Sequence, residues 1–118
     1  MRFRTAQDVH DRLIESVATL LTDKHPGWFV YTNPGAEKNL AVDGQWPDLV
    51  LVDDQRTVRA VYEVETGDTV DLGHAAQQWV AFSALGKPFF LVVPEERAAQ
   101  TRQLARELGV TVRGILLY

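Results

Sequence analysis

Three carboxylates carry the chemistry this sequence offers. Asp48 opens an apolar run, Leu49-Val50-Leu51-Val52, while Glu63 and Glu65 fall at the end of a second run that begins at Val58. Asp53, Asp54 and Gln55 lie between them, so residues 46–66 read as a β-hairpin with a polar turn. Side chains two apart on a strand share a face, which sets Glu63 and Glu65 side by side, roughly 6.6 Å apart along the backbone. If the turn occupies Asp54 to Thr57 and Asp53 faces Val58, every further pair follows, and Asp48 falls opposite Glu63. Opposed residues have Cβ atoms about 4.5–5.5 Å apart. That register gathers all three acids into one patch, whereas a slip of one residue would send Asp48 to the other face.

Converging carboxylates raise one another's pKa, and burial adds a desolvation penalty. A hard divalent cation neutralises them most simply, and ligands made only of oxygen suit Mg²⁺ or Mn²⁺ with water completing the shell. The backbone carbonyl of Val64, between the two glutamates, offers a neutral ligand. The competing reading is that acids at strand ends are simply solvated.

The elements that must position these residues follow from the rest of the chain. With 118 residues the chain is expected to form one domain, 1–118, and its composition is ordinary for a globular α/β protein. There is no cysteine, hence no disulfide framework and no thiolate metal site. The first residues, MRFRTAQDVHDR, lack an apolar signal core, and no run approaches 18 apolar residues. Expectations are therefore a cytoplasmic protein with no membrane partner. A net charge of −4 means that a polyanionic partner would be held by a local basic surface rather than by bulk attraction.

Taken in order, Thr5 to Thr22 predicts an amphipathic helix capped by Thr5, with Val9, Leu13, Val17, Leu20 and Leu21 as its apolar stripe. His10 lies near the centre of that stripe, as a packed histidine, and Glu15 lies opposite, at the surface. Trp28 to Thr32 reads as a strand, and Asn33 to Gln45 as a long connection with an extended piece at Leu40 to Val42. After the hairpin, Gly67 to Gly73 reads as a turn, with Asp68 and Asp71 as turn and helix-start residues. His74 to Leu85 then reads as a helix with His74, Gln78 and Phe82 along one row. Phe89 to Val93 is a wholly apolar strand. Pro94 opens a helix that ends at Gly109, and Val110 to Tyr118 is a last strand bent at Gly114. This order predicts an α/β fold with a mixed β-sheet flanked by helices, αβββαβ with an extra αβ.

Pro47-Asp48, then Glu63-Val64-Glu65 across a hairpin, then Gln78 with Phe82 in the next helix, resembles the PD-(D/E)xK nuclease superfamily over about residues 5–93. The resemblance implies a restriction-endonuclease-like three-layer core and a divalent-metal-dependent nuclease acting on DNA, or on RNA. It makes Asp48 and Glu63 metal ligands and gives Gln78 the task of orienting substrate or water. Glu65 stands where the motif commonly has lysine; some restriction enzymes are similar in carrying Glu-x-Glu. For the helix-one glutamate of many members Glu15 is the only candidate by position, and its helical phase argues against it. Two readings stay open: an active enzyme, or a catalytically inactive nuclease-fold module for binding nucleic acid or protein.

In the first reading Mg²⁺ or Mn²⁺ sits on Asp48, Glu63, Val64 and Glu65, and Glu65 serves as general base or as bridge to a second ion. Lys38, His74 and Lys87 are expected to contact substrate, with Arg102 and Arg106 a solvated helix flank. Trp46 and Trp79 flank the motif, either stacking on a base or filling the core. A homodimer is expected, since cutting both strands of a duplex needs two sites related by a two-fold axis.

Overall fold

A computed structural model of the chain describes residues 6–35, 37–71 and 75–118. The elements are α1 (Ala6–Lys24), β1 (Phe29–Thr32), β2 (Leu49–Val52), β3 (Val58–Val64), α2 (Gly67–Asp71), α3 (Ala75–Ser83), β4 (Phe89–Val93), a 3₁₀ turn (Glu95–Arg97), α4 (Ala98–Leu108) and β5 (Gly114–Leu117). The strands form one five-stranded mixed sheet in the order β1-β2-β3-β4-β5, antiparallel as far as β3 and parallel beyond it. The α/β class and the helix-flanked mixed sheet match the sequence expectation.

The parallel half fixes where the helices go. The crossovers from β3 to β4 and from β4 to β5 advance in the same direction, so right-handed connections place both on one face. Trp79 and Phe82 of α3 and Ala105 of α4 accordingly share a core with Val50, Val52, Val61, Leu91 and Val93. Ile14, Val17 and Leu21 of α1 cover the opposite face against Leu49, Leu51, Tyr62, Val64 and Val92. Buried from both sides, β2 is apolar at every position, as a central strand must be.

Several local expectations are corrected. The buried row of α1 is centred on Ile14, while Val9 and Leu20 are exposed; the Thr5 cap lies outside the described residues. The segment after β3 is not a plain turn. Thr66 and Thr69 exchange hydrogen bonds (Thr66 N to Thr69 Oγ1, 2.9 Å; Thr69 Oγ1 to Thr66 O, 3.0 Å) and start the short helix α2. The helix expected from His74 begins at Ala75 among the described residues. The last strand is shorter than 110–118, and Gly114 starts it rather than bending it. A Cβ there would sit 3.1 Å from the Phe90 ring, which explains the glycine.

The hairpin turn also differs in detail. Val52, not Asp53, pairs with Val58, so the turn is one residue longer than expected. A bulge at Arg59 then absorbs the difference, and from Leu51↔Ala60 to Leu49↔Tyr62 the register is the expected one. Arg59 is exposed there, 5.7 Å over the Trp28 ring and 3.9 Å from Asp53. No helix among the described residues is long and apolar enough to cross a membrane.

Candidate active site

At the open end of β2 and β3 the restored register brings Asp48 and Glu63 face to face. Leu49 pairs with Tyr62, so the next pair outward is Asp48 with Glu63. Both are buried, and so is Glu65 one step beyond the strand. The Asp48 side chain lies close enough to Glu63 to push up the Glu63 carboxyl pKa. Asp48 Oδ2 also accepts the Val64 N–H at 2.8 Å, which pins its side chain over β3.

The sequence reading missed the next partner. His10, in α1, reaches over the end of the sheet, with Nε2 3.1 Å from Asp48 Oδ2. Its Nδ1 has no hydrogen bond and lies 3.5 Å from Asp11 Oδ1. The signal was available in the helix phase. His10, Ile14, Val17 and Leu21 follow one i, i+4, i+7, i+11 row, so the buried row of α1 runs straight into the acids. Glu15, by contrast, is exposed, as expected.

Electrostatics divides the four groups. Burial raises the Glu63 carboxyl well above its ordinary 4.5, and the adjacent Asp48 and Glu65 charges push it further. Of the buried acids, Glu63 thus holds its proton to higher pH than a free carboxyl would. Burial also raises Glu65, against the opposing pull of hydrogen bonds from Thr69 and Trp79. Burial alone would lower His10, but the Asp48 hydrogen bond and charge, with Asp11 behind, win and lift it to about 9. His10 is thus an imidazolium at neutral pH and lies beside Asp48, on whose other side stands Glu63 with its raised carboxyl.

Glu65 faces a different set of atoms. Trp79 Nε1 donates to its Oε1 at 3.4 Å, and Tyr118 Oη donates to its backbone oxygen at 2.7 Å. Trp79 is thus core, fully buried, and Trp46 is not: it stands 45 % exposed.

His10, Asp48, Glu63 and Glu65 line a hollow of about 350 Å³ that also takes in Val64, Thr69, Gln78, Lys38 and Gln7. Gln78 is exposed, while Phe82, four residues on, is in the core. Lys38 is held by its Nζ on Asn33 O at 3.1 Å. Asn33 anchors the whole loop. Its buried amide donates to Leu40 O (2.8 Å) and Pro47 O (2.6 Å) and accepts the N–H groups of Asn39 (2.7 Å) and Leu40 (2.9 Å). Lys87 is not brought here; it lines a separate hollow with Tyr31 and Arg56. Arg102 and Arg106 are exposed along a third, between α4 and β5. His74 lies outside the described residues.

The donor set suits a hard cation in part. Asp48 and Glu63 bring two oxygen-donor side chains together. Glu65, however, is tied to Trp79 and Thr69. Among the described residues no group of three or more His, Asp or Glu side chains is placed to hold one metal ion. Asp48 and Glu63 are brought together, and Glu65 does not complete a three-ligand group with them.

No protein-family model matches this chain, and no curated protein or solved structure is similar to it, so its function is argued from the site itself.

Proposed function

We propose that the acidic hollow is the active site of a divalent-metal-dependent nuclease, hydrolysing phosphodiester bonds in DNA first and RNA second. The observation that carries this reading is the buried Asp48–Glu63 carboxyl pair at the floor of a hollow also lined by Lys38 and Gln78. Such a pair is expensive to bury unless a cation replaces its proton. Asp48 and Glu63, with the Val64 carbonyl, would hold Mg²⁺ or Mn²⁺. When bound, the ion supplies Lewis-acid polarisation of the phosphate and a water of lowered pKa.

The chain's own residues then have distinct tasks. The Val64 N–H and His10 fix the Asp48 rotamer through Oδ2. A raised pKa brings Glu65 closer to the working pH of a general base, and Thr69 and Trp79 hold it in one orientation. His10, cationic at neutral pH, sets positive charge beside the reacting phosphate. Lys38 and Gln78 contact the phosphate or its sugar.

A second reading has its own observation. Asp48 Oδ2 already accepts from both His10 and Val64, and Glu65 is anchored away from the pair, so the four groups also make a self-sufficient structural cluster. That favours a catalytically inactive nuclease-fold module. The test is Mn²⁺-dependent cleavage of supercoiled, linear, single-stranded and branched DNA by wild type, Asp48→Ala and Glu65→Ala, with metal-induced thermal stabilisation measured in parallel. Cleavage lost in Asp48→Ala and reduced about 10²–10⁴-fold in Glu65→Ala supports the enzyme. No cleavage and no stabilisation by either metal hands the fold to the second reading.

A further inference from the structure

The hollow at the turn end of the hairpin has a different character. It measures about 360 Å³, at the small end of the range for ligand pockets. Its buried lining is apolar, Val42 and Val52 beside the half-buried Val58 and Tyr31, and its charged lining is Arg56, Lys87 and Asp43. A mostly apolar cavity with a few charged groups is the usual composition of a small-ligand site.

The backbone singles out Arg56. Hydrogen bonds from Asp53 N to Thr57 O (2.9 Å) and from Arg56 N to Asp53 O (3.1 Å) close the turn and leave Arg56 at φ 64°. Hairpins give that left-handed position to glycine, because a Cβ disfavours it. Asp43, at φ 48°, is the other non-glycine residue with positive φ among those described, and it lines the same hollow. Its Asp-Gly turn is an ordinary one, closed by the reciprocal Val42–Gln45 hydrogen bonds; an arginine in the glycine position is not. Nothing within the turn uses the guanidinium. Among the described residues neither Arg56 nor Lys87 takes part in an ion pair. Two cations without an ion-pair partner among the described residues therefore share one tyrosine-bearing hollow, with Asp43 at its lining, in a chain whose net charge is −4.

We propose that this hollow binds a nucleotide, with its base against Tyr31 and the valines and its phosphate between Arg56 and Lys87. Asp43 offers an acceptor for an exocyclic amine of the base. Tyr31 and Val52 lie on the same sheet face as Asp48, since Tyr31 pairs with Val50. The loop from 33 to 45 contributes to both hollows, Gly35 and Lys38 to one and residues 40–43 to the other. Four residues of β2, roughly 13 Å, separate the two ends. A strand of nucleic acid laid along this face would reach from the acids to the second hollow. That wider statement rests on the nuclease reading; nucleotide affinity by itself does not.

The experiment titrates deoxyadenosine 5′-monophosphate into the metal-free full chain, followed by amide NMR and calorimetry. Separate arms use orthophosphate, deoxyadenosine and the tetranucleotide (dA)₄. Saturable binding with shifts centred on Tyr31, Val52 and Val58 is expected. Arg56→Gly relaxes the turn, so it should keep or raise thermal stability while weakening the monophosphate about tenfold or more. Lys87→Ala should weaken it in the same direction. Tighter binding of (dA)₄ assigns the ligand to a strand, and equal affinity assigns it to a free nucleotide. Orthophosphate binding as tightly as the monophosphate overturns the proposal. So do shifts confined to Asp48 and Val64, or an Arg56→Gly variant that binds like wild type. Failure of the nuclease reading looks different: no cleavage with Mn²⁺, but Arg56-dependent nucleotide binding intact.

Discussion

Glu63→Gln should make the metal-free protein more stable at neutral pH, although it removes the centre of the proposed site. Glu63 is buried beside Asp48, and its carboxyl pKa is held well above its ordinary 4.5. Because the folded-state pKa is raised, its contribution is fully present below the unfolded value and is lost as pH rises towards the folded one. Within that window one proton changes stability by about 1.4 kcal/mol per pH unit. From 4.5 to pH 7 the loss is at most about 3 kcal/mol, the full slope over that window. Glutamine stays neutral, can donate to Asp48, and does not suffer this loss. For a chain of this size the difference is up to roughly 10 °C in melting temperature. The assay is thermal unfolding of both proteins from pH 4 to 8 in EDTA. The two curves should meet near pH 4 and separate steadily above it, with the variant higher. Adding Mn²⁺ should lift wild type alone and narrow the gap. Parallel curves in EDTA would refute the burial argument, and an equal response to Mn²⁺ would remove Glu63 from any metal site.

His10 should titrate by NMR near 9, and in Asp48→Asn it should fall back towards its ordinary 6.5; an unchanged titration would mean that Asp48 is not its main partner. As a raised base, its stabilising effect is present below 6.5 and disappears as pH rises through 9. With the His10 side chain 21 % exposed, solvent screening leaves about 1–2 kcal/mol, read as a His10→Ala penalty at pH 6 that vanishes near pH 10. Asn33→Ala strips four hydrogen bonds from a buried site and should cost about 3 kcal/mol or more, with hydrogen-exchange protection lost at Asn39 and Leu40. Trp79→Phe keeps most of the packing but removes the 3.4 Å donor to Glu65, a loss of about 1 kcal/mol in chemical denaturation, against about 3–5 kcal/mol for Trp79→Ala.

The fold was legible because its signals are periodic. Leu49 to Val52 and Phe89 to Val93 are continuous apolar runs, and the structure gives both the expected bounds. Where structure depends on one residue's backbone, the pattern was silent. Nothing in residues 53–59 announces that Arg56 takes a glycine conformation or that Arg59 is the extra residue in a bulge. The two surprises are coupled. A longer turn alone would have set Asp48 beside Tyr62 in register and turned it away from Glu63; the bulge shifts the pairing back by one. The expected opposition of Asp48 and Glu63 thus holds for a reason the hairpin pattern does not contain.

The site was legible in its acids and illegible in what surrounds them. Register along a strand is arithmetic in sequence number, so it could collect Asp48 and Glu63. The approach of α1 is not, because it depends on how far a helix on the other sheet face overhangs the strand ends. His10 reaches Asp48 only because the row Ile14, Val17, Leu21 seats α1 against Leu49 and Tyr62, with its first turns beyond the last sheet pair. The same logic applies to Glu65, whose alternation with Glu63 predicts a shared face and nothing more. Val64 is the last residue of β3, and past it the chain turns into α2 and then α3, from which Thr69 and Trp79 respectively act on Glu65. One residue past the strand, a shared face no longer means a shared partner. That is why the carboxylate expected as a third ligand is better argued as a positioned base.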